Sequence, residues 1–183
     1  LDQLVNLNSL YLGYNPITKI EGLDQLVNLN TLDLSRTEIT EIKGLDQLVN
    51  LYILELSNTK ITKIEGLDEL INLNTLELSG TKITKIEGLD QLVNLSSLHL
   101  SETEITKVGG IDNLINLRYL NLSKTKISFL QECYLKIPVI DLSNSSIKKI
   151  SNLQKRILAE ETLVWSQTTY YGVTKYDTIN LSR

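Results

Sequence analysis

Six residues spaced 22 apart, Tyr11, Asp33, Glu55, Glu77, His99 and Asn121, form one column of side chains that could do chemistry. Each is flanked on both sides by leucine, the period-two alternation of a strand with its leucines inward and the intervening residue on the open face. Parallel strands stacked at about 4.8 Å would place the carboxylates of Asp33, Glu55 and Glu77 in one row, where like charges repel by some tenths of a kcal/mol per pair. Two readings fit such a row. It is either a hydrated acidic stripe, partly neutralised by Arg36, Lys60 and Lys82 on the neighbouring edge, or a docking groove for a basic, lysine-rich segment of another protein. In the second reading Tyr11, Tyr14, Tyr52, Ile53, Arg118 and Tyr119 supply the aromatic, aliphatic and arginine anchors on which binding energy concentrates.

The remaining candidates for catalysis or metal binding are sparse. His99 is the sole histidine, so a histidine metal cluster, a histidine pair and most nucleophilic triads lack their parts. It is expected on an exposed strand position between Glu77 and Asn121, solvated or part of a binding surface. Cys133 is the sole cysteine, which excludes an intrachain disulfide and reads as a small core residue. The absence of disulfides favours the cytoplasm, with the bacterial surface as the alternative. Gly109 and Gly110 form a lone dipeptide, no phosphate-cradling glycine loop occurs, and no calcium-loop spacing of acids is present. The N-glycosylation triplets at Asn94, Asn121, Asn144 and Asn180 are by-products of repetition, and Asn94 is expected to be buried. No cofactor, metal or small-molecule substrate is expected.

Bulk properties narrow the class. With 42% hydrophobic and 22% charged residues in 183, the chain is composed like a folded globular domain. A net charge of -4 argues against a nucleic-acid partner, which would call for a basic face. No apolar run reaches the roughly 18 residues of a membrane span. The absence of Met, and a start at the first position of a repeat, read as the interior of a longer polypeptide.

The elements that must carry these side chains follow from the repeat. Units beginning at Leu1, Leu23, Leu45, Leu67, Leu89 and Ile111 share residue types at shared offsets. In the fourth copy, 67–88, the apolar set is Leu67, Leu70, Leu73, Leu76, Leu78, Ile83 and Ile86. Residues 75–79 alternate as a short strand, and the spacing of Leu67, Leu70 and Leu73 suits one or two tight helical turns. Gly22, Gly44, Gly66, Gly88 and Gly110 end the units and allow the bend into the next. A period of this length means a solenoid, since one unit cannot bury its apolar face alone.

The pattern L-x-x-L-x-N-L-x-x-L-x-L-x-x-(N/T)-x-I-x-x-I-x-G resembles the leucine-rich repeat, in the 22-residue subclass found in internalins and in the leucine-rich regulatory subunit of protein phosphatase 1. The resemblance covers residues 1–132 and implies an α/β repeat fold. That fold is a right-handed solenoid with a parallel β-sheet on the concave face and short helical (3-10) or extended convex segments.

Two polar columns are expected to point inward. Asn6, Asn28, Asn50, Asn72, Asn94 and Asn116 read as a buried ladder that satisfies backbone groups of adjacent turns. Asn15 is followed by Thr37, Thr59, Thr81, Thr103 and Thr125, whose hydroxyls can bond fewer neighbouring carbonyls than an amide. After Ile127 the register fails. Residues 133–152 read as a shortened seventh unit, in which Lys136 replaces the ladder asparagine and Ile140 and Leu142 keep the strand leucine positions. Residues 153–183 read as a degenerate repeat, with a helical stretch at 153–161 and an eighth strand at 162–166. Residues 170–183 either fold back as a cap or begin a compressed ninth coil; Trp165, Tyr170, Tyr171 and Tyr176 favour the cap.

The function this predicts is a non-catalytic scaffold that binds another protein on its concave face. The alternative is a stiff spacer within a larger surface protein. Variation along the row from Tyr11 to Asn121 favours binding. The regular convex charges, Lys19, Lys63, Lys85 and Lys107 with Glu21, Glu65 and Glu87, read as a solvated face.

Overall fold

The computed structural model describes residues 4–131 and 136–146 and, beyond these, the backbone of five short strands. Cys133, the 153–161 stretch, Trp165, Tyr171, Tyr176 and Asn180 lie outside the described residues. Six three-residue strands, β1 (Ser9–Tyr11), β2 (Thr31–Asp33), β3 (Ile53–Glu55), β4 (Thr75–Glu77), β5 (Ser97–His99) and β6 (Tyr119–Asn121), recur once per repeat. They pair in parallel with equivalent residues side by side: Leu32 lies beside Leu54, Leu54 beside Leu76 and Leu76 beside Leu98. Any other register would turn the leucines to solvent, because side chains alternate faces along a strand.

β7 (Phe129–Leu130) leaves this sheet and pairs in parallel with β9 (Lys149–Ile150), while β8 (Val139–Asp141) rejoins it beside β6, with Ile140 next to Leu120. β10 (Leu163–Val164) runs parallel to β8, and β13 (Thr178–Ile179) is antiparallel to β10. Between them β11 (Thr168–Tyr170) and β12 (Val173–Lys175) form an antiparallel ladder. Among the described residues the main sheet has nine strands, in the order β1-β2-β3-β4-β5-β6-β8-β10-β13.

The core is the set of repeating apolar positions. Leu67, Leu70, Leu73, Leu76, Leu78 and Ile83 are fully buried and Ile86 nearly so, and the neighbouring copies match. Fully burying each such side chain is worth about 1.5–3 kcal/mol. In the first coil Leu7, Leu10, Leu12 and Ile17 are only partly buried, since no coil precedes them. The convex returns are chained i→i−3 turns: Leu70 N–H donates to Leu67 O at 3.0 Å and Leu73 N–H to Leu70 O at 2.9 Å. No α-helix occurs among the described residues, because two such turns are too short to propagate one.

The asparagine column forms a ladder, but an exposed one. Asn50 Nδ2 donates to Val27 O, Asn72 to Val49 O, Asn94 to Ile71 O and Asn116 to Val93 O, each at 2.9 Å. These amides, Asn94 included, sit on the surface where the chain turns into the strand. The inward, buried placement expected from sequence is therefore wrong for them. The polar side chain reaches back along the outside of the coil, where water can solvate whatever the carbonyl leaves unused. The threonines are buried as expected, yet they bond within their own coil: Thr81 Oγ1 donates to Leu78 O at 2.7 Å and Thr103 to Leu100 O at 2.7 Å. Each hydroxyl closes the turn that leaves the strand, so the number of neighbouring carbonyls it could reach is beside the point.

Gly66 ends its unit at φ +71, the left-handed region where a Cβ is strained. A Cβ there would also collide with the carbonyl oxygen of Ile42 in the preceding coil. Coil spacing and glycine are coupled at that bend.

Candidate functional site

The strand faces opposite the core carry the row read from sequence. Tyr11, Asp33, Glu55, Glu77, His99 and Asn121 stand side by side in successive strands, and Asp141 of β8 continues the line. Ile53 and Tyr119 lie on the same face in the parallel row through Thr75 and Ser97. Tyr52 and Arg118 do not share this face. Each is the residue immediately before its strand, and both line a separate shallow groove along the strand-entry edge.

Most polar groups of the row are spoken for locally. Asp33 Oδ1 accepts the N–H of Ser35 at 2.8 Å, Glu77 Oε1 that of Ser79 at 2.9 Å, and Asp141 Oδ1 that of Ser143 at 2.9 Å. Asn121 Oδ1 accepts both the N–H and the hydroxyl of Ser123. These contacts cap the turn that leaves the strand, as Asx turns do. Among the described residues the carboxylate of Glu55 makes no such bond and has no ion-pair partner. Burial, then the neighbouring carboxylates of Asp33 and Glu77, push its pKa up. Burial, followed by Asp141 and Glu77, likewise raises the Tyr119 hydroxyl.

Two of the expected neutralising cations, Arg36 and Lys60, are directed elsewhere. The Arg36 guanidinium stacks on the ring of Tyr14 at 5.1 Å, and Lys60 pairs with Glu38 of the previous coil. Among the described residues the side-chain contact made onto a carboxylate of the row is that of His99, whose Nδ1 lies 3.2 Å from Glu77 Oε2. His99 is only about a quarter exposed and packs against Tyr119 with ring centroids 5.0 Å apart, so it is less solvated than the sequence suggested. Tyr11 and Tyr14, 68% and 77% exposed, project at the first-coil end of the row.

Ser97 was not legible as part of this cluster. Its hydroxyl lies 2.9 Å from His99 Nε2, so serine, imidazole and the Glu77 carboxylate connect in the order of a hydrolytic triad. An acyl-transfer site also requires free donors for an oxyanion. Here the N–H groups of Ser96 and Ser97 both donate to Asn74 O, at 2.9 and 3.0 Å. The Ser-x-His alternation was the one available signal for the contact. No group of three or more His, Cys, Asp or Glu among the described residues is arranged to hold a metal ion, and none of their helices is long and apolar enough to cross a membrane.

Comparison with known proteins follows the same lines. The family model for Leucine Rich repeats (2 copies) matches residues 5–47, 27–69 and 49–91. Among solved structures the chain is similar to internalin C2 of Listeria monocytogenes, with 28% identity over 79% of this chain and a TM-score of 0.66. It is similar also to a leucine-rich-repeat protein of Leptospira interrogans, with 29% identity over 86% of this chain and a TM-score of 0.72. A second Listeria monocytogenes internalin, 20% identical over 82% of this chain with a TM-score of 0.62, shares the fold. The chain spans 62%, 42% and 51% of the lengths of these three proteins. A comparison with curated proteins finds no match. Leucine-rich repeats generally act in protein–protein interaction and are typically not enzymes. With its 22-residue period, its stacked parallel strands and these likenesses, the chain carries leucine-rich repeats over residues 5–91 and is similar to the internalins in its solenoid fold.

Proposed function

We propose that the chain is a non-catalytic docking module whose concave sheet binds a basic segment of a partner protein. One observation carries this reading: among the described residues Glu55 keeps a carboxylate with no hydrogen bond or ion pair, its pKa raised by burial and then by the flanking carboxylates of Asp33 and Glu77. A fold that retains an unpartnered charge in a repulsive row tolerates a cost which an incoming cation would relieve. Tyr11, Ile53 and Tyr119 on the same sheet offer rigid apolar contact beside it. In this reading residues 1–132 form the docking array, 133–152 a shortened unit and 153–183 the cover of the exposed end.

The alternative is a stiff spacer. It draws on the inter-coil pairs of Lys60 with Glu38, Lys124 with Glu102 and Lys126 with Glu104, which tie successive coils together without varying a binding surface. Titration with a fluorescent oligolysine peptide separates the two. Docking predicts binding that weakens at least about tenfold in Glu55→Lys, the change expected for reversing one charge at the contact. Equal binding by parent and variant, or no binding by either, contradicts the docking reading.

A further inference from the structure

A groove of about 740 Å³ runs along the strand-entry edge of coils two to six, beside the acidic row but separate from it. One wall is the exposed asparagine ladder. Asn50, Asn72, Asn94 and Asn116 each spend one N–H on the preceding coil, which fixes all four amides in the same orientation. Each retains an unengaged amide oxygen and a second N–H.

The floor is backbone that needs nothing more. The carbonyl of Tyr52 accepts the N–H groups of Asn74 and Thr75, that of Asn74 accepts those of Ser96 and Ser97, and that of Ser96 accepts those of Arg118 and Tyr119. An extended peptide laid in the groove would find no strand edge to pair with. The opposite wall varies from coil to coil as Asn30, Tyr52, Asn74, Ser96 and Arg118. Tyr52 is 44% exposed, Asn74 has only a 3.5 Å contact from the Thr75 hydroxyl, and among the described residues the side chains of Ser96 and Arg118 make no hydrogen bond or ion pair.

We infer that this groove is a binding site for a neutral oligosaccharide lying along the solenoid axis. Its walls are amides and a hydroxyl that both donate and accept, the complement of sugar hydroxyls, which do the same. It contains no carboxylate to attract a basic segment and only one cation, too few for a phosphate backbone. The Tyr52 ring offers an amphipathic face with an apolar body, suited to the C–H face of a pyranose. Asparagine, serine, tyrosine and arginine are also the residues that antibody paratopes use for adaptable polar contact on rigid anchors. Coils repeat at about 4.8 Å, so roughly one sugar would sit on each.

The test is titration of the full chain with cello-, chito- and malto-oligosaccharides by saturation-transfer NMR and calorimetry. At least one series binds. Tyr52→Ala and Asn74→Leu each weaken it about tenfold, as expected for losing one stacking or bidentate contact, while the melting temperature holds because both positions are at the surface. Glu55→Lys leaves sugar binding unchanged, which keeps this test distinct from the protein-docking proposal. Absence of binding by all three series, binding that survives both groove substitutions, or binding displaced by oligolysine would overturn the inference.

Discussion

His99 Nδ1 stands 3.2 Å from Glu77 Oε2 in the adjacent strand, and the other oxygen of that carboxylate accepts the N–H of Ser79 at 2.9 Å. Glu77 is therefore held at both oxygens, while Glu55, one coil earlier in the same row, is held at neither. Equal residue type hides unequal roles. Glu77→Ala should destabilise by about 1 kcal/mol, the net worth of a partly buried capping hydrogen bond together with the imidazole contact. Glu55→Ala should be neutral or slightly stabilising. Urea unfolding midpoints of the two variants check this, and a larger loss for Glu55→Ala would contradict it.

Glu55 also sets a pH signature. Its folded pKa lies above the ordinary value of 4.5 through burial, Asp33 and Glu77, so the folded chain binds that proton more tightly than the unfolded chain. The stability this confers is complete below 4.5 and is lost as pH rises through the raised folded value. Glu55→Gln removes the ionised group, and near neutral pH the variant should be more stable than the parent by a few tenths of a kcal/mol, the site being partly solvent-screened. Well below the ordinary carboxylate range the difference should vanish. Paired thermal melts at the two pH values measure it.

The two polar columns should respond in the opposite order to the one their residue types suggest. Thr81→Val removes a buried hydroxyl and leaves Leu78 O without its partner, at a cost of about 1–2 kcal/mol. Asn72→Ala frees Val49 O at the surface, where water replaces the amide, at a cost of about 0.5 kcal/mol. Equal losses in chemical denaturation would place the asparagine ladder back in the interior.

Gly22 and Gly66 share φ +71 and differ in surroundings. A Cβ on Gly22 meets nothing within 4 Å, and one on Gly66 meets the Ile42 carbonyl. Gly22→Ala should cost about 1 kcal/mol from left-handed strain alone. Gly66→Ala should cost at least about twice that, since it must also push apart two coils. Calorimetric melts of both variants isolate the packing component by difference.

What the sequence revealed and what it hid divide by the strength of the constraint. Leu76 and Leu78 could be placed because burying a leucine dominates a coil's energetics, and a 22-residue period cannot satisfy it in any other register. The same alternation placed Glu55 and Glu77 on the open face. It could not say that Lys60 would pair with Glu38, because an exposed lysine has many rotamers of near-equal energy and small differences choose among them. The left-handed turn after each strand was also hidden. It falls at Tyr14, Arg36, Asn58, Gly80, Glu102 and Lys124, of which only asparagine and glycine advertise positive φ. Tyr52 and Arg118 were grouped with the strand row for their chemistry, yet a shift of one residue moves them off it onto the groove.

The most direct test of concave docking is site-specific photocrosslinking in the source cell. A benzophenone side chain placed at Thr75, on the open face between Ile53 and Ser97, is predicted to capture a partner whose crosslinked peptide is rich in lysine or arginine, and Glu55→Lys should suppress the adduct. The same probe at Lys63 on the convex face is predicted to give none. Adducts at Lys63 but not at Thr75, or a Thr75 adduct indifferent to Glu55→Lys, would contradict the account.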